Sequence, residues 1–561
     1  MATNRNTPAT TRWGRRGISA GVGLSLALVP AWQSGLSSPA EHATALPPHA
    51  VFNVAKWGDP KADKASKDTK GKNAASLDPG SLYTIENVIG ARKVWTQRDT
   101  AKRQITGQGV TVALLDSGTA AVPGLTASGK LTYGPDLSIE GNGSLTDQDT
   151  FGHGTHMAGI IATRDAVTLT PKTIPALDPS VQLGVAPDAD LLSMKLATTD
   201  GSTDVSQVIA ALNWITEHQT AQNGSKVRVV NLSFGTDSIQ SYQLDPLAAA
   251  AENAWRHGLV VVVSGGNDGN AVGRLTNPAI DPYVIAVGAS DGADTLAGWL
   301  KPTVAPFSNG GTAARHVDLL APGASIASLR DPGSYVDLNH PEGLVAGDST
   351  GRLFRGSGTS QAAAVVSGSV ALLLQAYPNL TPDQVKATLT ATATPVSASA
   401  LLAGAGQLNI AAALDSAANS GSGSTWKGIS GKVTASGVQS FLTANGQGSL
   451  DAARGGNVLV DPSGLPLSGE VDVQGNRWNA ASWWAAASTL KSWSGGKWLN
   501  TTWTGDTWAP SANGLLTARW STARWSTARW SDAGWDTARW STARWSSARW
   551  SSARWSDNTW G

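Results

Sequence analysis

The length, composition and charge of the chain narrow both its architecture and its chemistry. It has 561 residues, 41% of them hydrophobic, which is too long for one typical domain and ample for a packed core. The net charge of +1 gives no reason to expect nucleic acid as a general partner. There is no cysteine, so disulfides, cysteine-ligated metals and a thiol nucleophile are excluded.

The N-terminal segment, residues 1–45, is predicted to be an export signal. An apolar run ending near Trp32 follows several arginines, and Ala43-Thr44-Ala45 suits cleavage. The run is short for a membrane span and is broken by Pro30, although an uncleaved anchor is the alternative. We therefore expect a secreted or cell-surface protein with no membrane span after signal removal. Residues 46–84 are rich in lysine and predict a solvated linker or short propeptide.

Residues 85–416 alternate short apolar runs with helical patterns. The strand-like runs lie at 110–115, 191–196, 227–232, 259–263 and 283–287, and the predicted helices at 204–219, 246–257, 359–376 and from Pro382 onward. The runs are nearly continuous in apolar character, as in parallel strands covered on both faces. This alternation predicts an α/β, doubly wound domain with a mostly parallel sheet, whose site lies at the carboxyl ends of the strands.

The amino-acid composition changes twice in the C-terminal part of the chain. Residues 417–475 are rich in Gly and Ser and are interpreted as a junction. Residues 476–561 form an extension in which Trp recurs at five-residue spacing, regularly from 520 to 560. That period fits neither one face of a helix nor the alternation of a strand. A solenoid-like coil and an open low-complexity chain both remain as alternatives for the structure of the repeats. Seven Arg and three Asp make residues 517–561 basic, and we hypothesise attachment to a cell envelope or polymer.

A candidate nucleophile lies where a Gly-rich turn enters an apolar helix. Ser360 falls in the predicted first turn, near backbone N–H groups that have no intrahelical partner. A rigidly held hydroxyl at such a place can act as a nucleophile beside an oxyanion site, but Gly-Thr-Ser is also an ordinary helix start.

Three further polar groups follow predicted strands or open a helix. Asp116 ends the first strand, where a turn-forming Asp-Ser-Gly is the alternative. His153 and His156 open an apolar helix three residues apart; no Glu at metalloprotease spacing accompanies them, which favours one catalytic and one structural histidine over a metal pair. Asn267 follows a buried strand and could donate its amide into a site or simply form a turn.

Together these segments resemble the subtilisin-like serine peptidases, or subtilases. The resemblance rests on Asp116-Ser117-Gly118, Gly152-His153-Gly154-Thr155-His156, Gly266-Asn267 and Gly358-Thr359-Ser360, in the family's chain order. It covers roughly residues 85–416. Several shorter segments support it: Gly184-Val185-Ala186-Pro187, Asn231-Leu232-Ser233-Phe234-Gly235 and Ala321-Pro322-Gly323.

The resemblance implies a secreted serine endopeptidase that acts on proteins or peptides. Ser360 would be the nucleophile, His153 the base, Asp116 the orienting acid and Asn267 an oxyanion donor. The substrate cleft would be lined by Ser233, Phe234, Gly235, Ser264, Gly265 and Gly266, pairing with an extended peptide as a β-strand does.

The resemblance implies no required cofactor and no catalytic metal. Whether a structural calcium ion binds is left open by the sequence, because the family's calcium-binding Pro-Asp-Leu is matched here by Pro123-Gly124-Leu125. Two other functions remain as alternatives: a surface adhesin with a catalytically inert subtilase scaffold, and a hydrolase of non-peptide esters. The presence of Asp116, His153, Asn267 and Ser360 together weighs against an inert scaffold. The segment 231–235, which would pair with an extended peptide, weighs against a non-peptide substrate.

Overall fold

A computed structural model of the protein describes residues 78–141, 143–292, 302–422, 426–429, 438–455, 470–502 and 524–525. The predicted export signal, most of the linker and most of the Trp repeats lie outside these ranges. All of the described residues belong to one compact unit, Lys72–Gly561.

The strands follow the chain in short segments. They are β1 (Val110–Asp116), β2 (Leu131–Tyr133), β3 (Asp190–Lys195), β4 (Lys226–Leu232), β5 (Phe234–Gly235), β6 (Val260–Ser264), β7 (Ile285–Asp291), β8 (Thr303–Val304), β9 (Leu319–Pro322), β10 (Ile326–Leu329), β11 (Leu353–Gly356), β12 (Trp493–Ser494), β13 (Lys497–Trp498), β14 (Thr501–Thr502) and β15 (Arg524–Trp525).

Helices connect and cover these strands. They are α1 (Leu82–Ile89), α2 (Ala91–Trp95), α3 (His153–Ala162), α4 (Val205–Glu217), α5 (Pro246–Arg256), α6 (Tyr335–Asn339), α7 (Thr359–Ala376), α8 (Pro382–Thr392), α9 (Ala400–Ala403), α10 (Ile410–Ser420), α11 (Leu450–Ala453) and α12 (Ala480–Ala487).

The central sheet runs in the order β2-β3-β1-β4-β6-β7, with β9 also paired to β7. These pairings are parallel, and the short strand β8 pairs antiparallel with β7. Every residue of β1 and of β6 is buried, which explains why these runs are continuously apolar rather than alternating. The predicted α/β fold with a mostly parallel sheet is therefore confirmed.

The chain reverses its direction across the sheet at β1. It moves from β1 to β3 on one side and then returns past β1 to β4 and β6. Because connections between parallel strands are right-handed, crossovers on opposite sides of β1 place α3 on one face of the sheet and α4 and α5 on the other. The long helix α7 packs with α3, and α4 packs with α5. The carboxyl end of β1 is thus the switch point, where such folds bind ligands.

The helices begin where their sequences supply caps. Asp204 caps α4 and Thr381 caps α8, each in a reciprocal capping box with the residue three positions on. Pro382 occupies the first turn of α8, as the sequence predicts. All 18 residues of α7 are buried, so this helix, although long and apolar enough for a membrane, lies inside the protein.

Tryptophans of the C-terminal extension pack onto α4. The indole N–H groups of Trp483 and Trp498 both donate to Asn213 Oδ1, at 2.9 and 3.2 Å, and that of Trp493 donates to the Ala210 carbonyl at 2.9 Å. Trp483 lies in a helix, whereas Trp493 and Trp498 lie in strands. In this part of the chain, positions on one five-residue repeat do not share one local structure, and tertiary burial decides the conformation.

A buried ion pair joins the preceding segment, residues 417–475, to the N-cap of α4. The guanidinium of Arg454 donates to both carboxylate oxygens of Asp204, at 2.8 and 3.0 Å, and both side chains are fully buried. Burial raises the pKa of Asp204, but the charge and hydrogen bonds of Arg454 outweigh burial and hold the pKa below its ordinary value. Asp204 therefore contributes stability above about pH 4, which is lost as pH falls through its lowered pKa.

We expect Arg454→Met to lower the free energy of unfolding by about 3–5 kcal/mol, because it leaves the Asp204 charge buried without its partner. Urea denaturation at pH 7 measures this. Lys93→Met is the matched control, since Lys93 and Asp415 form an exposed pair and the expected loss is below about 1 kcal/mol. Equal small losses for both variants would contradict the buried pair.

Candidate active site

Three neighbouring strands end at the same level at the switch point. Leu115 of β1 pairs with Leu232 of β4, which pairs with Val263 of β6. The next residue on each strand is Asp116, Ser233 and Ser264, respectively. The parallel register therefore brings three of the predicted site residues to one edge of the sheet.

Asp116 and His153 are in direct contact. Asp116 Oδ1 lies 2.7 Å from His153 Nδ1, and the two side chains are 1% exposed. The same oxygen accepts the Ser117 backbone N–H at 2.8 Å. Burial raises the pKa of the Asp116 carboxyl above its ordinary value, and the hydrogen bond and charge of His153 oppose that rise. The carboxylate thus fixes one imidazole nitrogen and leaves Nε2 as the far nitrogen of the ring.

The glycines on either side of His153 allow this close approach. A Cβ on Gly154 would lie 1.9 Å from the Gly118 carbonyl oxygen, and one on Gly152, whose φ is +103°, would lie 2.5 Å from Ser334 Oγ. Helix α3 therefore begins against the turn that follows β1, with no space for a side chain at either position.

Asp149 is a site residue that the sequence reasoning did not single out. Its carboxylate accepts the backbone N–H groups of Gly152 and Thr155, both at 2.7 Å. It also accepts the Ser117 hydroxyl at 2.7 Å. Asp149 thus ties the start of α3 to the turn after β1 and so sets the position of the imidazole. An acidic residue just before a helix start was the available signal.

Ser360 is the second residue of α7 and is fully buried. Its hydroxyl has no hydrogen-bond partner within the described part of the chain. Its backbone carbonyl oxygen accepts the hydroxyl of Ser233 at 3.3 Å. The start of α7 is thereby attached to the end of β4, beside the end of β1.

Asn267 is held in one orientation by the same helix. Its Oδ1 accepts both the backbone N–H and the hydroxyl of Thr359, at 2.8 and 2.9 Å. The buried Nδ2 makes no hydrogen bond among the described residues. Since the carbonyl side of the amide is occupied by Thr359, the amide donors are directed away from it and are available to another acceptor.

The two predicted cleft segments differ in their backbone bonding. Gly265 N–H donates to the Val287 carbonyl and its own carbonyl accepts from Thr276; Gly266 N–H donates to Thr359 Oγ1 and its carbonyl accepts from Asn309. These groups are already engaged within the protein, which suits a wall better than a pairing edge. Phe234 and Gly235 instead form a separate short strand, β5, whose partner strand among the described residues is β15.

His156 occupies a different environment from His153. Its Nε2 lies 3.2 Å from the Ile326 carbonyl and 3.1 Å from the Phe354 carbonyl, which assigns the proton to that nitrogen. Burial, together with the nearby His153, lowers the pKa of His156 to about 3. A neutral imidazole that bridges β10 and β11 holds structure together, in keeping with the prediction for this residue.

Metal ligands do not converge at the described residues, where no group of three or more His, Cys, Asp or Glu side chains could hold an ion. At the candidate calcium loop, Gly124 supplies no carboxylate. The guanidinium of Arg352 donates to the Pro123 carbonyl at 3.1 Å and to Asp165 at 2.8 Å. Since a cationic group already binds these oxygens, the residues present do not fit calcium there.

Comparison with known proteins matches this site to a peptidase family. The model of the subtilase family matches residues 107–446. The serine protease AprX of Bacillus subtilis (strain 168) is 34% identical over 337 residues, which is 56% of this chain and 72% of AprX. Subtilisin Savinase of Lederbergia lenta is 32% identical over 312 residues, which is 55% of this chain and 93% of that protein.

Solved structures also align with the chain. A cold adapted subtilisin-like serine proteinase is 27% identical, with a TM-score of 0.41, over 57% of this chain and 97% of its own. Fervidolysin from Fervidobacterium pennivorans, a keratinolytic enzyme related to subtilisin, is 26% identical, with a TM-score of 0.45, over 62% of this chain and 48% of its own.

Proposed function

Because the chain belongs to the subtilase family and is a serine-type endopeptidase, we propose that Ser360, His153 and Asp116 hydrolyse peptide bonds through an acyl-enzyme intermediate. The observation that carries the assignment is the 2.7 Å contact between the buried Asp116 carboxylate and His153 Nδ1. It is the pairing that such a triad requires at the imidazole nitrogen remote from the nucleophile.

Ser360 attacks the scissile carbonyl carbon. A serine hydroxyl is a weak nucleophile at its ordinary pKa, so it needs a base, and His153 Nε2 accepts its proton as the new C–O bond forms. The imidazolium then gives that proton to the leaving amine as the C–N bond breaks. Water, activated by the same imidazole, releases the acyl group and restores the Ser360 hydroxyl.

Asp116 keeps the imidazole in the productive tautomer and stabilises the imidazolium when it forms. Its burial strengthens this interaction, because no water competes for the Oδ1 oxygen that faces His153. Asp149 acts through the backbone as a positioning residue, since it holds the first turn of α3.

The oxyanion of the tetrahedral intermediate is stabilised by Asn267 Nδ2 and by the backbone N–H of Ser360. The occupied Oδ1 of Asn267 supports this role, because it directs the Nδ2 donors toward the open side of the amide. The Ser360 amide lies in the first turn of α7, where N–H groups have no intrahelical acceptor. Preorganised donors of this kind stabilise charge as it develops.

The substrate is a protein or peptide that binds in extended form. We assign strand pairing to Ser233, Phe234 and Gly235, beside the nucleophile. Ser264, Gly265 and Gly266 form a wall of the same cleft, since the backbones of the two glycines are engaged elsewhere.

A fluorophosphonate probe tests the assignment directly, because it reacts covalently with an activated serine. We expect the full chain to be labelled in one position and Ser360→Ala, which retains the buried helix start, to give no labelling. Absence of labelling in folded wild-type protein would contradict the proposed triad and favour the inert-scaffold alternative.

Secretion is supported by the charge and apolarity pattern of residues 1–45. The proposed triad mechanism requires no cofactor. The basic Trp repeats support attachment to a cell envelope or polymer. Co-sedimentation of the full chain with purified cell walls tests this, and a chain that stays in the supernatant would exclude it.

A further inference from the structure

A strand of the Trp repeats pairs with the predicted substrate strand. The tail strand β15 (Arg524–Trp525) lies antiparallel to β5, with Arg524 opposite Gly235 and Trp525 opposite Phe234. These two strands form a sheet of their own among the described residues. The repeats and the substrate strand belong to distant parts of the sequence, so this pairing is a tertiary contact.

The direction of the tail strand is that of a chain running toward the nucleophile. Because the pairing is antiparallel, the tail passes Gly235 first and then Phe234, and so approaches Ser233. The Ser233 hydroxyl donates to the Ser360 carbonyl at 3.3 Å. A peptide added to β5 in this direction is carried toward the reacting serine.

The paired edge lies beside buried reacting groups. His153 is 1% exposed and Ser360 is 0% exposed, whereas the Phe234 side chain belongs to the hydrophobic core. A strand that recruits an external peptide must offer its main-chain groups to it, and an edge that is already paired cannot do so. The full chain thus has its substrate edge occupied.

From these contacts we infer that the Trp-repeat tail is an intramolecular competitor that occupies the substrate cleft of the same chain. The inference rests on the proposed function, because the contact matters only if β5 binds substrate. It concerns regulation: the form of the enzyme that has lost its tail is the more active one toward peptides.

The repeat sequence suits this role. Trp recurs nine times from 520 to 560, and most units carry the same Arg-Trp pair, so successive units are nearly equivalent in sequence to the unit that pairs with β5. Main-chain pairing tolerates this redundancy. Tethering gives the tail an effective concentration of about 1 mM, so even a strand with a dissociation constant of about 0.1 mM in trans suppresses kcat/KM about tenfold.

The test uses the full chain with a recognition site for a site-specific endoprotease placed within residues 503–516. Hydrolysis of a short chromogenic peptide is measured before and after the tail is cut and removed. We expect kcat/KM to rise about tenfold through a lower KM, with kcat unchanged, as for relief of competition. A chain with an uncleavable version of the site, treated identically, is the control.

A peptide covering residues 517–535 then provides a second measurement in trans. It should inhibit the cut enzyme competitively. A version with Lys for each Arg should still inhibit, whereas a version with Pro for each Arg should not, because Pro removes the backbone donor at that position.

End-point labelling by the fluorophosphonate separates the two possible failures. Full labelling of both forms with an unchanged kcat/KM would overturn this inference and leave the proposed function intact. If neither form were labelled, the proposed function would fail and the inference with it.

Discussion

His153→Ala is expected to lower kcat for peptide hydrolysis by about 10⁶-fold, the loss measured when the corresponding base of subtilisin is removed. Without the imidazole, the Ser360 hydroxyl has no group to take its proton, and the leaving amine has no acid. The contact of His153 with the buried Asp116 supports this role. Steady-state kinetics on a chromogenic peptide, with circular dichroism to verify folding, measures the effect.

His156→Gln is the matched control on the same helix. Gln retains an N–H donor for the carbonyls of Ile326 and Phe354, and His156 has no part in proton transfer. We expect kcat to stay within about tenfold of wild type, well short of the loss that removing a general base causes. A loss in His156→Gln as large as that in His153→Ala would contradict the separation of a catalytic from a structural histidine.

Asn267→Ala is expected to lower kcat by about 100- to 1000-fold with little change in KM. The substitution removes the Nδ2 donors that stabilise the oxyanion, a charge that is present in the transition state and not in the bound substrate. Kinetic measurement over a range of peptide concentrations separates kcat from KM.

Asn267 also binds Thr359, so its loss could act by moving the start of α7. Thr359→Val tests that route, because it deletes the hydroxyl while keeping the backbone N–H and nearly the same volume. We expect Thr359→Val to lose less than about tenfold, since no oxyanion donor is removed. Equal losses in the two variants would assign Asn267 to helix positioning instead.

The central sheet was predictable because its strands are continuously apolar in sequence, which indicates burial on both faces. The run 259–263 predicts a strand covered on both faces, and β6 is buried throughout. The start of α8, predicted at Pro382, is equally local: Thr381 and Gln384, three residues apart, bind each other's backbone N–H groups in a capping box. Interactions within a few residues leave a readable pattern.

Other features were not predictable, because they join distant parts of the chain. In the sequence, little distinguishes Asp149 from other acidic residues. Its role appears only in the folded chain, where it joins the start of α3 to the turn after β1. Arg454 lies 250 residues from Asp204, and only folding makes them a buried pair. The tryptophans at 483, 493 and 498 lie ten and five residues apart, on one five-residue repeat. They nevertheless occupy a helix and two strands, because each packs onto α4.

The sequence alone determined the chemistry available to this protein and the α/β architecture that supports it. A serine at a helix start, a histidine beside glycines and an aspartate after a strand are local patterns, each set by residues adjacent in the chain. The tertiary structure decided which of these groups touch: it paired Asp116 with His153, oriented the Asn267 amide through Thr359 and brought Arg524–Trp525 onto β5. Parallel register and long-range packing, which no local pattern encodes, are the reason.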